Sequence, residues 1–192
     1  MKLIKQKLAV EKLRDGFPII FQTDTLPAIG CLPKFFEIIY KVKKRDSSKP
    51  LILMGSDISQ LSKYVHQSAL ENYEYMASKY WPGALTLVMP ISEHSKTNLR
   101  GIKNTLGIRI PNSMMAKSLI EETGPLLTSS ANISGFATST TAKEVSVVLP
   151  NVDLLGPVPW EKCSGLASTI LSWKNPGKWE IIRDGQVSVT LD

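Results

Sequence analysis

The sequence has few of the residues that many enzymes use for nucleophilic or metal chemistry. Its 192 residues include two histidines, His66 and His94, and two cysteines, Cys31 and Cys163. We therefore expect neither a Ser-His-Asp triad nor a histidine-rich metal site. The cysteines stand far apart and form no C-x-x-C pair, so we predict free thiols, to which the sequence assigns no role, and neither a disulfide framework nor a zinc ribbon.

Long apolar runs and the common nucleotide-binding motifs are also absent. No stretch of about 18 apolar residues occurs, which argues against a transmembrane helix and a membrane partner. Residues 1–16 interleave charged and apolar residues, unlike a secretory signal, so we expect a cytoplasmic protein. Neither G-x-x-x-x-G-K-[ST] nor a G-x-G-x-x-G after a strand is found, so the sequence predicts no P-loop and no Rossmann fingerprint.

The positive charge is concentrated in the first quarter of the chain. The formal net charge is +6 at pH 7. Residues 1–50 hold 11 lysines and arginines against 5 acidic residues, whereas residues 51–192 hold 12 of each kind. Five of the cations lie between Lys41 and Lys49. Such a cluster attracts the phosphates of a nucleotide or a nucleic acid, although a solvated helix end has the same composition.

The apolar pattern predicts a single α/β domain over residues 1–192. Helical periodicity is found at residues 3–14, 34–44, 57–65, 67–80, 112–123 and 141–149. Short apolar runs predict strands at residues 17–21, 50–54, 84–89, 105–110, from 126, and at 168–173, 179–183 and 186–190. Predicted helices and strands alternate along most of the chain, and the last three predicted elements are all strands. We therefore expect a twisted mixed parallel and antiparallel sheet with flanking helices.

Polar and cationic segments adjoin several of these predicted strands. The T-D-T at residues 23–25 follows the first strand, and by itself it is typical of a turn or a helix cap. Arg45 and Lys49 border a serine-rich turn before the next strand, where a guanidinium and an ammonium can both bind phosphate. The Lys41, Lys43 and Lys44 side chains, at the end of the preceding helix, are predicted to be a solvated face.

Two further segments point to anions. Arg109 lies within an apolar strand and needs an anionic partner there, for which a structural carboxylate and a ligand serve equally well. Residues 128–134 contain five hydroxyl or amide side chains in seven positions, ahead of Gly135. A loop of this composition presents N–H and O–H donors that suit an anion. The W-P-G-A-L-T segment at residues 81–86 is predicted to be architectural.

The ordered set of these motifs resembles the YrdC-like family. The motifs are T-D-T, K-R-x-x-x-K-P, W-P-G-x-L-T, G-I-R-I-P, T-S-S-A-N-x-S-G, G-x-x-S-T-I and I-I-R-D-G. None of them is decisive alone, but the ordered set is specific and extends over about residues 9–185. The resemblance implies a mixed sheet around a basic groove.

The resemblance also implies an activity. L-threonine, bicarbonate and ATP would give L-threonylcarbamoyladenylate and pyrophosphate, which makes the protein a nucleotidyltransferase. A separate transferase machinery would then use the product to modify the tRNA adenosine beside the anticodon. Mg²⁺ would accompany the ATP, and no metal site made by the protein alone is expected.

Residue roles follow from the same resemblance. The residues implied to contact threonine are Thr23, Thr25, Arg109, Ser168 and Thr169. The residues implied to bind ATP are Arg45, Lys49, Thr105, Thr128, Ser130, Asn132, Thr138 and Arg183. Arg45 and Lys49 would in addition act in catalysis at the phosphates.

Departures from the family pattern leave two alternatives open. Gln22 replaces the usual proline before T-D-T, and Pro27-Ala28 replace the usual Tyr-Gly after it. One alternative is therefore a paralogue that adenylates a different carbamoyl acceptor. The other is a module that binds tRNA or double-stranded RNA through the basic groove. The local confinement of the charge and the lack of an RNP-like aromatic pattern argue against RNA binding.

Overall fold

The computed structural model describes residues 1–99 and 104–191, so residues 100–103 and 192 of the predicted domain lie outside the described residues. The described part contains seven α-helices: α1 (Gln6–Arg14), α2 (Glu37–Lys43), α3 (Ile58–Ser62), α4 (Leu70–Tyr80), α5 (Glu93–Asn98), α6 (Met114–Thr123) and α7 (Ala142–Val148). It also contains ten strands: β1 (Leu3–Ile4), β2 (Ile19–Phe21), β3 (Ala28–Cys31), β4 (Ile52–Met54), β5 (Leu85–Pro90), β6 (Thr105–Arg109), β7 (Leu126–Ser130), β8 (Asp153–Leu155), β9 (Thr169–Asn175) and β10 (Lys178–Arg183). None of the described helices has the length and apolar character needed to cross a bilayer.

All ten strands pair into one mixed sheet in the order β1-β8-β2-β3-β7-β4-β6-β5-β9-β10. The pairs β1–β8, β2–β8, β4–β6 and β5–β9 are parallel. The pairs β2–β3, β3–β7, β4–β7, β5–β6 and β9–β10 are antiparallel. The mixed sheet predicted from the sequence is therefore confirmed. Its central strands, β7, β4 and β6, are the ones that the sequence associates with the serine-rich loop, the basic turn and Arg109.

Alternation along the strands divides the core between the two faces of the sheet. Ile20 in β2 belongs to the large cluster that α2, α3 and α4 cover. Its neighbours Ile19 and Phe21 belong to a smaller cluster under α1 and α6. These two helices lie mainly over the β2–β3 side of the second face, and residues farther along that face form the floor of a cavity.

Three short strands and one helix are not predicted from the sequence, one predicted strand is absent, and one predicted helix starts later than expected. The missed strands are β1, β3 and β8, whose two to four residues are too few to show a period of two, and the missed helix is α5. The first helix begins at Gln6, because Leu3 belongs to β1; its buried residues are Ala9, Val10 and Leu13, while Leu8 is exposed. Residues 186–190 are not a strand.

The helix ends agree better with the sequence. Ser113 is the N-cap of α6, as one of two predicted candidates, and its Oγ accepts a hydrogen bond from the Ala116 amide. Thr141 caps α7 in the same way through the Glu144 amide. A hydroxyl at the N-cap satisfies an amide that has no partner within the helix, and this local requirement can be recognised without tertiary information.

Candidate active site

The second face of the sheet carries a cavity of about 430 Å³. Nine of the residues predicted to bind substrates line it: Thr25, Arg45, Thr105, Arg109, Thr128, Ser130, Thr138, Ser168 and Arg183. They come from segments spread over most of the chain, and the strand order brings these segments together. The cavity is therefore the candidate active site.

The floor of the cavity is apolar, whereas its rim is polar. Ile52, Met54, Val88 and Ile170 supply the aliphatic surface. Hydroxyl and guanidinium groups surround that surface, so a ligand with a compact apolar part and several anionic groups matches the cavity.

Arg109 is 2% exposed and is the most deeply buried cation of the cavity. Its Nη2 donates to Asp24 Oδ1 at 2.7 Å, its Nη1 to Thr25 Oγ1 at 2.8 Å and its Nε to the Gly83 carbonyl at 2.9 Å. Burial lowers the pKa of Arg109, and Asp24 opposes that shift. The sequence left open whether a structural carboxylate or a ligand is the anionic partner of Arg109. The structure shows that a structural carboxylate, Asp24, is one such partner. A guanidinium has five N–H donors, so two remain for a ligand.

Arg45 has an unsatisfied donor at the opposite side of the cavity. Its Nη2 donates to the Pro50 carbonyl at 3.0 Å. Its Nε is buried and has no hydrogen-bond partner among the described residues. Burial lowers the pKa of Arg45, which reflects the cost of holding this charge away from water. Because buried donors are rarely left unpaired, the unpaired Nε shows that the hydrogen bonding of Arg45 is incomplete within the described structure.

A third guanidinium comes from the C-terminal hairpin. Arg183 donates from Nε and Nη2 to the Ser168 carbonyl at 3.0 and 2.8 Å. Ser168 Oγ lies 2.8 Å from Thr86 Oγ1, and both side chains are buried. Thr86 also lines the cavity, so the segment at residues 81–86 contributes to the site as well as to the architecture predicted for it. The described lining holds three arginines and no carboxylate, and Asp24 lies behind it as the partner of Arg109, so the cavity is electropositive.

Four of the predicted site residues lie outside the cavity lining. Thr23 is buried and bonds to Thr25 Oγ1 and the Leu26 carbonyl. Asn132 is bonded to its own loop, and Thr169 Oγ1 accepts from the Gly185 and Val187 amides while donating to the Val187 carbonyl. Lys49 is exposed. The first three side chains hold the cavity-forming segments in place, whereas Lys49 lies at the basic turn in solvent.

The prediction of a solvated Lys43 is wrong. Lys43 is 1% exposed, and its Nζ donates to the Ser130 carbonyl and, at 3.2 Å, to Asn132 Oδ1. The Lys43 carbonyl in turn accepts from the Ser134 amide at 3.0 Å. The end of α2 is thereby joined to the loop after β7, and this fixes the direction of Ser130 beside the cavity. The sequence does contain an indication that Lys43 is buried. Lys43 follows the fully buried Ile39 by four residues, so both lie on the same face of the helix.

We expect Lys43 to make the stability of the protein pH-dependent. Burial, with a smaller contribution from Arg45, lowers the pKa of Lys43 from 10.5 to about 7. Between these two values the unfolded chain holds a proton that the folded protein has released, so the free energy of unfolding rises with pH. The contribution is at most about 1.4 kcal/mol per pH unit.

The measurement is chemical denaturation of the wild type and of Lys43→Met at pH 7 and pH 9. The wild type should gain more stability than Lys43→Met over this interval. The comparison of two pH values cancels the constant effect of losing the Lys43 hydrogen bonds. Equal gains in the two proteins would show that Lys43 does not titrate in this range.

A second, larger cavity of about 820 Å³ lies elsewhere, between the loop after β8 and the start of α7. Its lining includes Leu3, Leu154, Val158 and Trp160 and contains none of the predicted site residues. Size alone does not identify a site, whereas convergent polar groups with unsatisfied donors do. The chemistry therefore points to the smaller cavity.

Comparison with known proteins agrees with the fold and with the placement of the motifs. The model of the Sua5/yciO/yrdC family, described as "Telomere recombination", matches residues 11–185. The chain belongs to this family. The match coincides closely with the region over which the motifs were recognised, and it confirms the resemblance.

Three relatives illustrate how the chain relates to other family members. A threonylcarbamoyl-AMP synthase of Bos taurus is 32% identical over 189 residues, which cover 93% of this chain and 67% of the relative. The crystal structure of P. abyssi Sua5 complexed with L-threonine is 26% identical with a TM-score of 0.84, covering 96% of this chain and 57% of that one. E. coli YciO is 25% identical with a TM-score of 0.77 and coverages of 96% and 94%. The chain thus spans about two thirds of the bovine relative and little more than half of P. abyssi Sua5.

Proposed function

We propose that this family member is an L-threonylcarbamoyladenylate synthase. The observation that carries the proposal is the cavity in which Arg45, Arg109 and Arg183 surround a small apolar floor. The name of the bovine relative and the threonine complex of P. abyssi Sua5 support the same reaction. The reaction joins L-threonine, bicarbonate and ATP, three substrates that all carry anionic groups and therefore suit this rim.

Threonine is assigned to the part of the cavity around Arg109. The two free N–H donors of Arg109 would bind the amino-acid carboxylate, and Thr25 lies beside them. The Thr86–Ser168 hydroxyl pair faces the same part of the floor and can bind the threonine hydroxyl or amine. Thr23 and Thr169 act indirectly in this assignment, by fixing Thr25 and the start of β9.

ATP is assigned to the side that contains Arg45. The guanidinium of Arg45, which lines this side of the cavity, would bind a phosphate oxygen. Hydroxyls from β6, β7 and the loop after β7 complete this side, those of Thr105, Thr128, Ser130 and Thr138. Arg183 donates to Ser168 beside the threonine position, and it would bind the nucleotide from there. Asn132 contributes by orienting Ser130, and Lys49 would meet the phosphates only from solvent. In this proposal Mg²⁺ binds together with ATP, as part of the substrate. Among the described residues, no group of three or more Asp, Glu, His or Cys side chains is placed to hold a metal ion.

The chemistry consists of two bond-forming steps. The threonine amine is first carboxylated by bicarbonate, with loss of water. An oxygen of the resulting carbamate then attacks the α-phosphorus of ATP, the bond to the β-phosphate oxygen breaks, and pyrophosphate leaves. The arginines lower the barrier by stabilising the charge that grows on the leaving pyrophosphate, and the cavity aligns the two substrates. No histidine is required as a general base.

The proposal also includes a role for the product in tRNA modification. The product would pass to a separate transferase machinery that modifies tRNA, in the cytoplasm. The pairing of all ten strands into one sheet supports the prediction that the chain acts as a single domain.

We expect pyrophosphate release to require threonine and bicarbonate together. The carboxylated amine is the nucleophile, so neither substrate alone can displace pyrophosphate. The measurement is pyrophosphate formation by the purified protein with ATP and Mg²⁺, omitting each of the other substrates in turn. Equal release without threonine or without bicarbonate would contradict the proposal. Release that depends on a different amino acid would identify a paralogue, and RNA binding without any release would favour the RNA-binding alternative.

A further inference from the structure

Gly107 lies in the middle of β6, where a glycine weakens a strand because it has no side chain to pack and loses more backbone entropy than other residues. Eleven glycines are described. Five have a left-handed backbone, and at five others an added Cβ would come within 3.2 Å or less of another atom. Gly107 belongs to neither group. The described fold therefore explains every other one of these glycines but not this one.

The surroundings of Gly107 would accept a side chain. A Cβ at this position would lie 3.5 Å from Ile52 Cγ1 and 3.5 Å from Thr86 Cγ2, which is ordinary van der Waals contact. The space on its open side is the cavity, which Gly107 lines. A glycine that neither the backbone nor the packing requires, and that faces a binding cavity, indicates close approach of a ligand to the strand.

The position of Gly107 within the cavity indicates which part of the ligand approaches. Thr105, Gly107 and Arg109 are every second residue of β6 and therefore share one face of the strand. The Gly107 Cα thus lies about 7 Å from the Cα atoms of Thr105 and Arg109. The register places Ile52 of β4 on one side of Gly107 and Val88 of β5 on the other. Gly107 is therefore central on the floor, between the position assigned to ATP at Thr105 and the position assigned to threonine at Arg109.

We infer that Gly107 is the point on the cavity floor over which the two substrates meet. The missing side chain lets the carbamate of the amino acid and the α-phosphate of the nucleotide lie against the strand at the distance that the reaction needs. This inference rests on the proposed function, and it adds Gly107 as a positioning residue for the step that joins the two substrates. A methyl group here would lift the junction away from Arg45 and Arg109 without occupying either substrate's own position.

The test is the pair of variants Gly107→Ala and Gly107→Val. For Gly107→Ala we expect kcat to fall about 10- to 100-fold, because a displacement of the order of 1 Å is enough for a loss of this size. The affinity for ATP alone and for threonine alone, measured by calorimetry, should change by less than about 3-fold. Gly107→Val should lose activity further. The melting temperature of Gly107→Ala should equal or exceed that of the wild type, because alanine is the better strand residue.

Gly177 provides a matched control. It has a backbone φ of +75° in the β9–β10 turn, no atom lies within 4 Å of an added Cβ, and it does not line the cavity. Gly177→Ala should therefore lower the melting temperature and leave kcat unchanged, which is the opposite pattern.

Three results would overturn the inference. Gly107→Ala with wild-type kcat would show that nothing approaches the strand. A loss of ATP affinity as large as the loss of kcat would show that Gly107 accommodates the nucleotide alone. A melting temperature well below that of the wild type, or failure to fold, would show that the glycine is structural. The wild-type assay is performed first, so that failure of the synthase reaction itself is distinguished from failure of this inference.

Discussion

Replacing Arg45 with alanine is expected to lower turnover by about 10- to 1000-fold, through lost stabilisation of the departing pyrophosphate. Arg45 lines the cavity, and its guanidinium is incompletely hydrogen-bonded within the described structure. Stability should change by only about 1 kcal/mol, because the described structure gives the side chain one hydrogen bond, to the Pro50 carbonyl. Turnover and melting temperature of the wild type and Arg45→Ala are the measurements.

Two neighbouring cations serve as controls for Arg45. Lys41→Ala removes an exposed charge from the same helix end, and it should alter the salt dependence of ATP binding while leaving kcat near normal. The loss of kcat in Lys49→Ala should lie between the losses in Lys41→Ala and Arg45→Ala, because the exposed Lys49 can reach phosphate only from solvent. If Lys41→Ala reduced kcat as strongly as Arg45→Ala, the phosphates would not lie beside the Arg45 guanidinium.

Replacing Arg109 with alanine is expected to destabilise the protein by about 3 kcal/mol or more and to raise the KM for threonine. Asp24 would keep its partly buried carboxylate without the guanidinium that now lies 2.7 Å away. The Thr25 hydroxyl and the Gly83 carbonyl would lose their donor as well. Denaturation measures the first effect, and steady-state kinetics with varied threonine or varied ATP measures the second.

A double variant separates the structural role of Arg109 from its role in binding. Asp24→Asn combined with Arg109→Gln removes both charges, so it should recover much of the lost stability. It should not recover threonine affinity, because losing a charge-assisted contact costs about 2 kcal/mol, which is roughly a 30-fold rise in KM. The KM for ATP should change much less. A double variant with wild-type KM for threonine would show that Arg109 is purely structural.

Most of the candidate site could be recognised from the sequence because its residues adjoin strands in short, dense motifs. Thr25, Arg45, Arg109 and Ser130 stand in such segments, and the structure brings all four to one cavity. Their roles toward threonine and ATP stay predictions until the variants are measured. The predicted ATP contact of Asn132, in the serine-rich loop, also stays a prediction, because the structure shows this side chain bonded within its own loop and to Lys43.

Clusters of charged residues in the sequence were the least reliable guide to which side chains are buried. Lys41, Lys43 and Lys44 look alike in sequence, yet Lys43 alone of the three is buried. Which lysine turns inward depends on the position of α2 against the loop after β7, a contact between segments almost ninety residues apart. The same holds for the partner of Arg109, because nothing near Arg109 in the sequence identifies Asp24 as the carboxylate that it meets.

Periodicity and motif spacing are local properties of the chain, so they are sufficient to indicate the α/β class, the family and the order of the site segments. Which polar groups are hydrogen-bonded internally and which line the cavity is visible only in the folded protein. That distinction separates the paired Arg109 from the unpaired Arg45, and it singles out Gly107 as the described glycine that the fold does not require. Burial and hydrogen-bond satisfaction depend on residues distant in sequence, and only packing determines which of those residues meet.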